Sequence, residues 1–95
     1  MNQHLTGGSR NSNGMLVTGP CTVRNFGILS GGSAGTAIFY DGNDATGAIL
    51  WALGTAANVS DGQSFQGLRV KNGIYVEVTN SARALVTIEN PAPNQ

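Results

Sequence analysis

The sequence predicts a single all-β domain, folded as a small antiparallel β-sandwich. Short apolar runs are separated by turn-forming residues at intervals of roughly ten residues, a spacing typical of sandwiches and barrels. Some runs alternate apolar with polar residues, and no stretch has a convincing helical period. The length of 95 residues fits one domain near the small end of the usual range. We therefore expect about seven strands and no substantial helix.

The sandwich is predicted to occupy residues 15–90, between two short ends. Residues 1–14 are rich in Asn, Ser and Gly, with Leu5 as the apolar anchor, and they predict a flexible arm that only a partner would order. Residues 91–95 predict a flexible tail, in which Pro91 blocks strand pairing.

Four segments carry the clearest strand patterns: 36–41, 48–53, 74–79 and 84–89. The first two are apolar on both faces, whereas the last two alternate, so that one face of each is expected to be buried. The side chains predicted to face the core from the alternating strands are Ile74, Val76, Val78, Ala84, Val86 and Ile88.

Glycine-containing sites are predicted to interrupt the strands. Asn72-Gly73 separates residues 68–71 from 74–79, and both residues tolerate the positive φ that a type I′ turn requires. A two-residue β-hairpin is therefore predicted there. Gly67 breaks the alternation of the strand before this turn, which predicts a β-bulge.

The segment Ala48–Leu53 has no polar face, so it needs cover on both sides. Two interpretations remain open. The segment is either a central strand capped by a loop or by the arm, or a strand whose second face forms a subunit interface.

The charge composition argues against binding to nucleic acid. Five basic residues balance five acidic ones, so there is no basic stripe of the kind that binds nucleic acid. Charged residues make up 11% of the chain, and a surface with so little charge resists association weakly.

The longest apolar run is too short to span a membrane. The first residues do not resemble a signal peptide, so synthesis in the cytoplasm is expected.

The residues that carry chemistry do not form a predicted active site. His4 is the one histidine, and it lies in the predicted arm, where a mobile base holds no catalytic geometry. The segment 41–47 lacks the acidic ligands of a calcium loop, and the glycine-rich segment 30–36 lacks the lysine of a phosphate loop. Cys21 has no internal partner for a disulfide. We therefore predict no enzyme activity and no metal or cofactor.

The large amphipathic aromatic residues are Tyr40, Trp51 and Tyr75. Such residues pack in cores and interfaces, and on the face of a sandwich they also stack on sugar rings. Both roles remain open at this point.

The segment from Pro20 to Glu89 resembles the small virion proteins of tailed bacteriophages. The resemblance follows PCTVRNFGILSGGSAGTAIFYDG (residues 20–42), AILWAL (48–53) and QSFQGLRVKNGIYVEVTNSARALVTIE (63–89). In that group a strand ending in FYDG precedes an apolar strand, a segment of the GLRVKNGIYVEVT type and a closing strand of the ALVTIE type. The resemblance implies a jelly-roll-like sandwich on the capsid or tail. The best-known role of such proteins is to decorate or cement the capsid, often as trimers.

On this resemblance, the expected partners are the major capsid protein or another virion protein and further copies of the chain, in a homotrimer on the capsid surface. The interface residues that we predict are Leu5, Tyr40, Leu50, Trp51, Leu53 and Pro91. A fibre, collar or tail adaptor is a close variant. The alternative from another class is a carbohydrate-binding module for host adhesion.

Overall fold

The computed structural model describes residues 4–90 of the chain, and the side chains of residues 7–89. Eight β-strands make up the fold. They are β1 (His4–Arg10), β2 (Gly14–Thr18), β3 (Cys21–Leu29), β4 (Gly35–Asp41), β5 (Ala48–Thr55), β6 (Ser60–Val70), β7 (Gly73–Val78) and β8 (Arg83–Asn90). No helix occurs in this part of the chain, and so none there is long and apolar enough to cross a membrane.

The strands form two four-stranded sheets, with the orders β1-β8-β3-β6 in sheet one and β2-β7-β4-β5 in sheet two. All neighbouring strands are antiparallel. The pairs β4–β5, β3–β6, β2–β7 and β1–β8 make the chain one long two-stranded ribbon, wound into two layers. This is the topology of a jelly roll. The predicted all-β antiparallel sandwich is confirmed.

The core lies between the two sheets and is centred on Phe26 of β3 and Phe39 of β4. Their rings are fully buried and stack with centroids 4.1 Å apart. The side chains predicted to alternate inward do so, because Ile74, Val76, Ala84 and Val86 are almost completely buried, while Val78 and Ile88 pack against the cluster from its margin.

The sheet extends into the predicted arm at the N-terminal end. Strand β1 lies within residues 1–14 and pairs with β8 over His4↔Asn90 to Arg10↔Ala84. The domain boundary predicted at residue 15 therefore differs from the structure. The cause is that β1 is an edge strand held by backbone hydrogen bonds, and its Gly7-Gly8 pair gives no apolar alternation to read.

The hairpin predicted at Asn72-Gly73 is wrong. Strands β6 and β7 belong to different sheets, so this turn carries the chain from one layer to the other. The carboxylate of Asp41 accepts the backbone N–H groups of Lys71 and Asn72, at 3.3 and 2.9 Å. Gly73 has a φ of +118°, while Asn72 is not among the residues with positive φ. A type I′ turn needs positive φ at both central residues.

A turn of that kind occurs instead between β7 and β8. Asn80 and Ser81 have φ of 54° and 57°, and the N–H of Ala82 donates to the carbonyl of Thr79 at 3.1 Å. The sequence did not reveal this turn, because serine is rare in left-handed conformations and glycine is the usual signal.

The bulge predicted at Gly67 is confirmed. The register of β3 against β6 passes from Val23↔Leu68 to Asn25↔Ser64, so that three residues of β6 face one residue of β3. Gly67 has a φ of +132°, which favours glycine.

Candidate interaction surface

Strand β5 is the outer strand of sheet two, with β4 on one side and no described strand hydrogen-bonded on the other. The interpretation of Ala48–Leu53 as a central strand is therefore wrong. The physical reason is that a continuous apolar run shows the need for cover but not the position in the sheet. An edge strand usually carries charge or proline to prevent pairing with other chains, and β5 has neither.

A bulge in β5 decides which way its side chains point. The register changes from Phe39↔Trp51 to Tyr40↔Ile49, which leaves Leu50 unpaired. Residues opposite each other share a face of the sheet. Trp51 therefore lies on the inner face with Phe39, and Ile49 lies on the outer face with Tyr40.

Trp51 bridges the two sheets at the open side of the sandwich. Its ring meets the edge of Phe65 of β6, with centroids 5.3 Å apart and planes at 85°. Phe65 in turn contacts Phe26 at 5.7 Å. The indole remains 37% exposed, so it closes the rim of the core and also presents apolar surface to the outside.

The outer face of sheet two carries an apolar surface that we call the outer patch. Cross-strand pairs place Tyr40 between Ile49 and Tyr75, and place Ile38 beside Ala52. Ile49 is 63% exposed. The outer patch comprises Ile38, Tyr40, Ile49, Ala52 and Tyr75. Glu77 lies beside Ile38 on the same face, so the patch is apolar with one carboxylate at its margin, and it is a candidate site of interaction.

Tyr40 forms the floor of the outer patch and is fixed by a hydrogen bond. Its side chain is only 8% exposed, and its hydroxyl donates to Oε1 of Glu77 at 3.1 Å. Burial, followed by the bond to Glu77, raises the pKa of Tyr40 above its ordinary value. The phenol is therefore the donor at neutral pH, and Oε1 of Glu77 accepts its hydrogen bond within the patch.

The predicted interface residues do not form one surface. Tyr40 belongs to the outer patch, whereas Trp51, Leu50 and Leu53 pack at the margin of the core. Leu5 lies in β1, an edge strand of sheet one, in register with Glu89 of β8. Pro91 lies outside the described residues.

Several apolar residues that are exposed in the structure were not predicted from the sequence. Ile49 is the most exposed of them, followed by Leu29, Val59, and Leu85. The signal for Ile49 was present in the apolar run, but the bulge at Leu50 reverses the alternation and hides which residue faces outward. Leu29 and Leu85 each lie in a strand as a single outward apolar residue, and one such residue does not by itself predict an interaction surface.

The carboxylates of the described chain hold the structure together locally. Asp41 fixes the turn before β7, Glu77 accepts from Tyr40, and Glu89 pairs with Arg24. Asp44 accepts both the N–H and the hydroxyl of Thr46, and these bonds lower its pKa. No group of three or more potential metal ligands occurs among the described residues.

Cys21 lies at the start of β3 and is partly buried. Burial, and then the charge of Asp41, raises the pKa of its thiol. A raised pKa keeps the sulfur protonated at neutral pH, and the thiol is a poor nucleophile in that form.

Replacing Trp51 with Ala is expected to destabilise the domain by roughly 2 kcal/mol. A fully buried aromatic ring costs about 3–5 kcal/mol, and the exposed third of this indole contributes less. Urea unfolding followed by circular dichroism measures the change. A loss above about 4 kcal/mol in dilute monomeric protein would contradict the partly exposed position.

No protein-family model matches the chain, and no curated protein sequence is similar enough to count as a relative. Among solved structures, the chain is similar to the coat protein of Tobacco streak virus, at 16% sequence identity and a TM-score of 0.41. The alignment covers 97% of this chain and 88% of that chain.

Proposed function

We propose that this chain is a structural protein of a virus particle, a cement or decoration protein that bridges neighbouring subunits of a tailed-bacteriophage capsid. It works by covering apolar surface rather than by chemistry. The observation that carries the proposal is the unprotected edge of β5 beside the outer patch, with Ile49 exposed at their junction. The resemblance of residues 20–89 to small phage virion proteins supports the same role.

The mechanism follows from burial and mass action. Transfer of apolar surface from water contributes about 25 cal/mol per Å². A protein that binds the assembled shell, but not its separate subunits, shifts the equilibrium toward the assembled state. The outer patch supplies the apolar area, and the free edge of β5 supplies backbone groups for strand addition.

Three copies of the chain are expected to act together as a homotrimer. A small domain stabilises itself by association, since its own core is limited. Sedimentation velocity on the purified chain tests this expectation. The proposed assembly predicts a single species of three chains, and the major capsid protein, presented as an intact shell, is its proposed partner.

Replacing Ile49 with Lys is expected to abolish binding to the particle without unfolding the domain. The side chain is mostly exposed, so the substitution changes stability by no more than about 0.5 kcal/mol. A charge in the middle of an apolar interface, in contrast, is strongly unfavourable because it must be desolvated. The test is co-sedimentation with capsids that lack the protein, at micromolar concentration.

The matched control is Leu85→Lys, because Leu85 is a 36% exposed apolar residue on the outer face of the other sheet. This variant should bind capsids like the unmodified chain. If the unmodified chain does not sediment with capsids, the proposed role is wrong. If Ile49→Lys still binds, or if Leu85→Lys alone loses binding, the proposed surface is wrong. Sedimentation with isolated tails instead of capsids would indicate the fibre, collar or tail adaptor variant.

The carbohydrate-binding alternative based on Tyr40, Trp51 and Tyr75 gains no support from the geometry. Tyr40 is buried with its hydroxyl engaged, and Trp51 lies on the opposite face of the sheet. The three rings therefore do not form a common stacking platform.

A further inference from the structure

A polar groove lies at one end of the sandwich, away from the outer patch. Connections of the jelly roll converge there and border an open depression of about 440 Å³. The volume lies in the range of small-molecule sites, and because the depression is open to solvent, it would contact a ligand from one side. The lining residues are Asn11, Leu29, Ser30, Gly31, Asn58, Ser81 and Arg83.

Hydrogen bonds between connections hold the groove in shape. The N–H of Asn58 donates to the carbonyl of Gly31 at 2.7 Å, which ties the β5–β6 connection to the β3–β4 connection. Nδ2 of Asn80 donates to the carbonyl of Ala34 at 2.6 Å, which ties the β7–β8 connection to the same segment. These bonds fix three of the connections relative to one another, which lowers the cost of ordering them when a ligand binds.

The groove presents hydrogen-bonding groups that the rest of the described chain does not use. The side-chain amides of Asn11 and Asn58 and the hydroxyl of Ser81 make no hydrogen bond to other described residues. Arg83 donates through Nη1 to Ser9 at 3.0 Å and forms no ion pair with the side chains of residues 7–89. Its remaining N–H groups are available, and Arg83 is the one charged residue in the lining.

Backbone strain is concentrated at the same place. Non-glycine residues with positive φ in the described chain are Asn58, Asn80 and Ser81, and two of the three line the groove. Such residues persist where the surrounding structure fixes them, and they cluster at binding sites. Asparagine tolerates this conformation, whereas serine adopts it rarely, so Ser81 is the position at which glycine would be easier to accommodate.

We propose that this groove binds a saccharide that carries a carboxylate. The guanidinium of Arg83 pairs with the carboxylate, since its fork of N–H groups matches the two oxygens. The amides of Asn11 and Asn58 and the hydroxyl of Ser81 both donate and accept, as sugar hydroxyls require. Leu29, 47% exposed, offers an apolar surface for the C–H face of the ring.

This site is independent of the proposed capsid role. The outer patch and the groove share no residues, so a variant of one is expected to leave the other intact. In particular, Ile49→Lys should lose capsid binding and keep saccharide binding.

Isothermal titration of the full chain with glucuronate, glucose and acetate tests the proposal. We expect glucuronate to bind with a dissociation constant of about 1 mM, and the other two to bind at least about tenfold more weakly. Glucose lacks the carboxylate, and acetate lacks the ring. Arg83→Gln should remove the difference between glucuronate and glucose.

Ser81→Gly and Asn58→Gly separate binding from folding. Glycine accepts positive φ without steric cost, so each variant should be as stable as the unmodified chain or more stable. Each should also lower the affinity for glucuronate about fivefold or more, because a hydrogen-bonding group is lost. Glucuronate affinity unchanged in both glycine variants and in Arg83→Gln, no binding up to about 50 mM, or acetate binding as tight as glucuronate would each overturn the proposal.

Discussion

Replacement of Phe26 with Ala is expected to destabilise the domain by about 3–5 kcal/mol, the largest effect of any single substitution considered for this fold. Phe26 is fully buried at the centre of the sandwich, stacked on Phe39 of the opposite sheet and touched at the edge by Phe65. Removal of the ring leaves a cavity that both sheets border. Rigid strands do not move in to fill it, so lost burial and lost packing add together.

Thermal unfolding measures this loss directly. A domain of this length shifts its melting temperature by about 4–8 °C per kcal/mol, so a decrease of at least about 12 °C is expected. Since the total stability of small domains is about 5–15 kcal/mol, the variant retains little margin. The matched control is Phe65→Ala, which removes an equal ring from a partly exposed position in β6. Equal losses in the two variants would contradict the central position of Phe26.

The alternating strands could be predicted from the sequence because their two faces meet different environments. In β7 and β8 every second side chain faces the other sheet, and all of these are apolar: Ile74, Val76, Ala84 and Val86 are buried, and Val78 and Ile88 pack at the margin. Burial on one face fixes the register, since a slip of one residue would exchange the faces. The same physics made the sandwich predictable as a class.

The order of strands could not be predicted in the same way. The jelly roll pairs β1 with β8 and β2 with β7, which lie far apart in the sequence. Such pairings depend on how the ribbon folds in three dimensions, and the local pattern of apolar and polar residues does not predict them. This is also why β1, with two glycines and few apolar residues, was predicted as an arm.

The candidate surface was only half predictable. The absence of a polar residue in Ala48–Leu53 indicated that both faces of this strand need to be covered, and β5 does expose apolar side chains. Which residues of β5 face outward could not be predicted, because a bulge is a property of the pairing with β4, not of β5 alone. The predicted interface therefore includes Leu50 and Leu53, which pack against the core while partly exposed, and it omits the more exposed Ile49.

Replacement of Gly73 with Ala is expected to destabilise the domain by about 2–4 kcal/mol. Gly73 has a φ of +118°, a conformation that residues with a side chain rarely adopt. A Cβ atom there would lie 2.8 Å from the carbonyl oxygen of Val17 and 3.1 Å from the nitrogen of Gly19. Both are backbone atoms, so relief requires β2 to move away from β7, where Thr18 pairs with Gly73.

The neighbouring substitution Asn72→Ala shows which kind of turn the chain makes. In a type I′ hairpin both central residues need positive φ, so alanine would be costly at either position. In the turn between sheets, Asn72 is exposed, has no positive φ and contributes its backbone N–H to Asp41, which alanine retains. Asn72→Ala should therefore change stability by no more than about 0.5 kcal/mol. Urea unfolding of both variants, at equal protein concentration, makes the comparison. Comparable losses of stability at the two positions would support a type I′ hairpin and would contradict a turn that joins the two sheets. In the turn between sheets, glycine is required at position 73, whereas the asparagine at position 72 can be replaced.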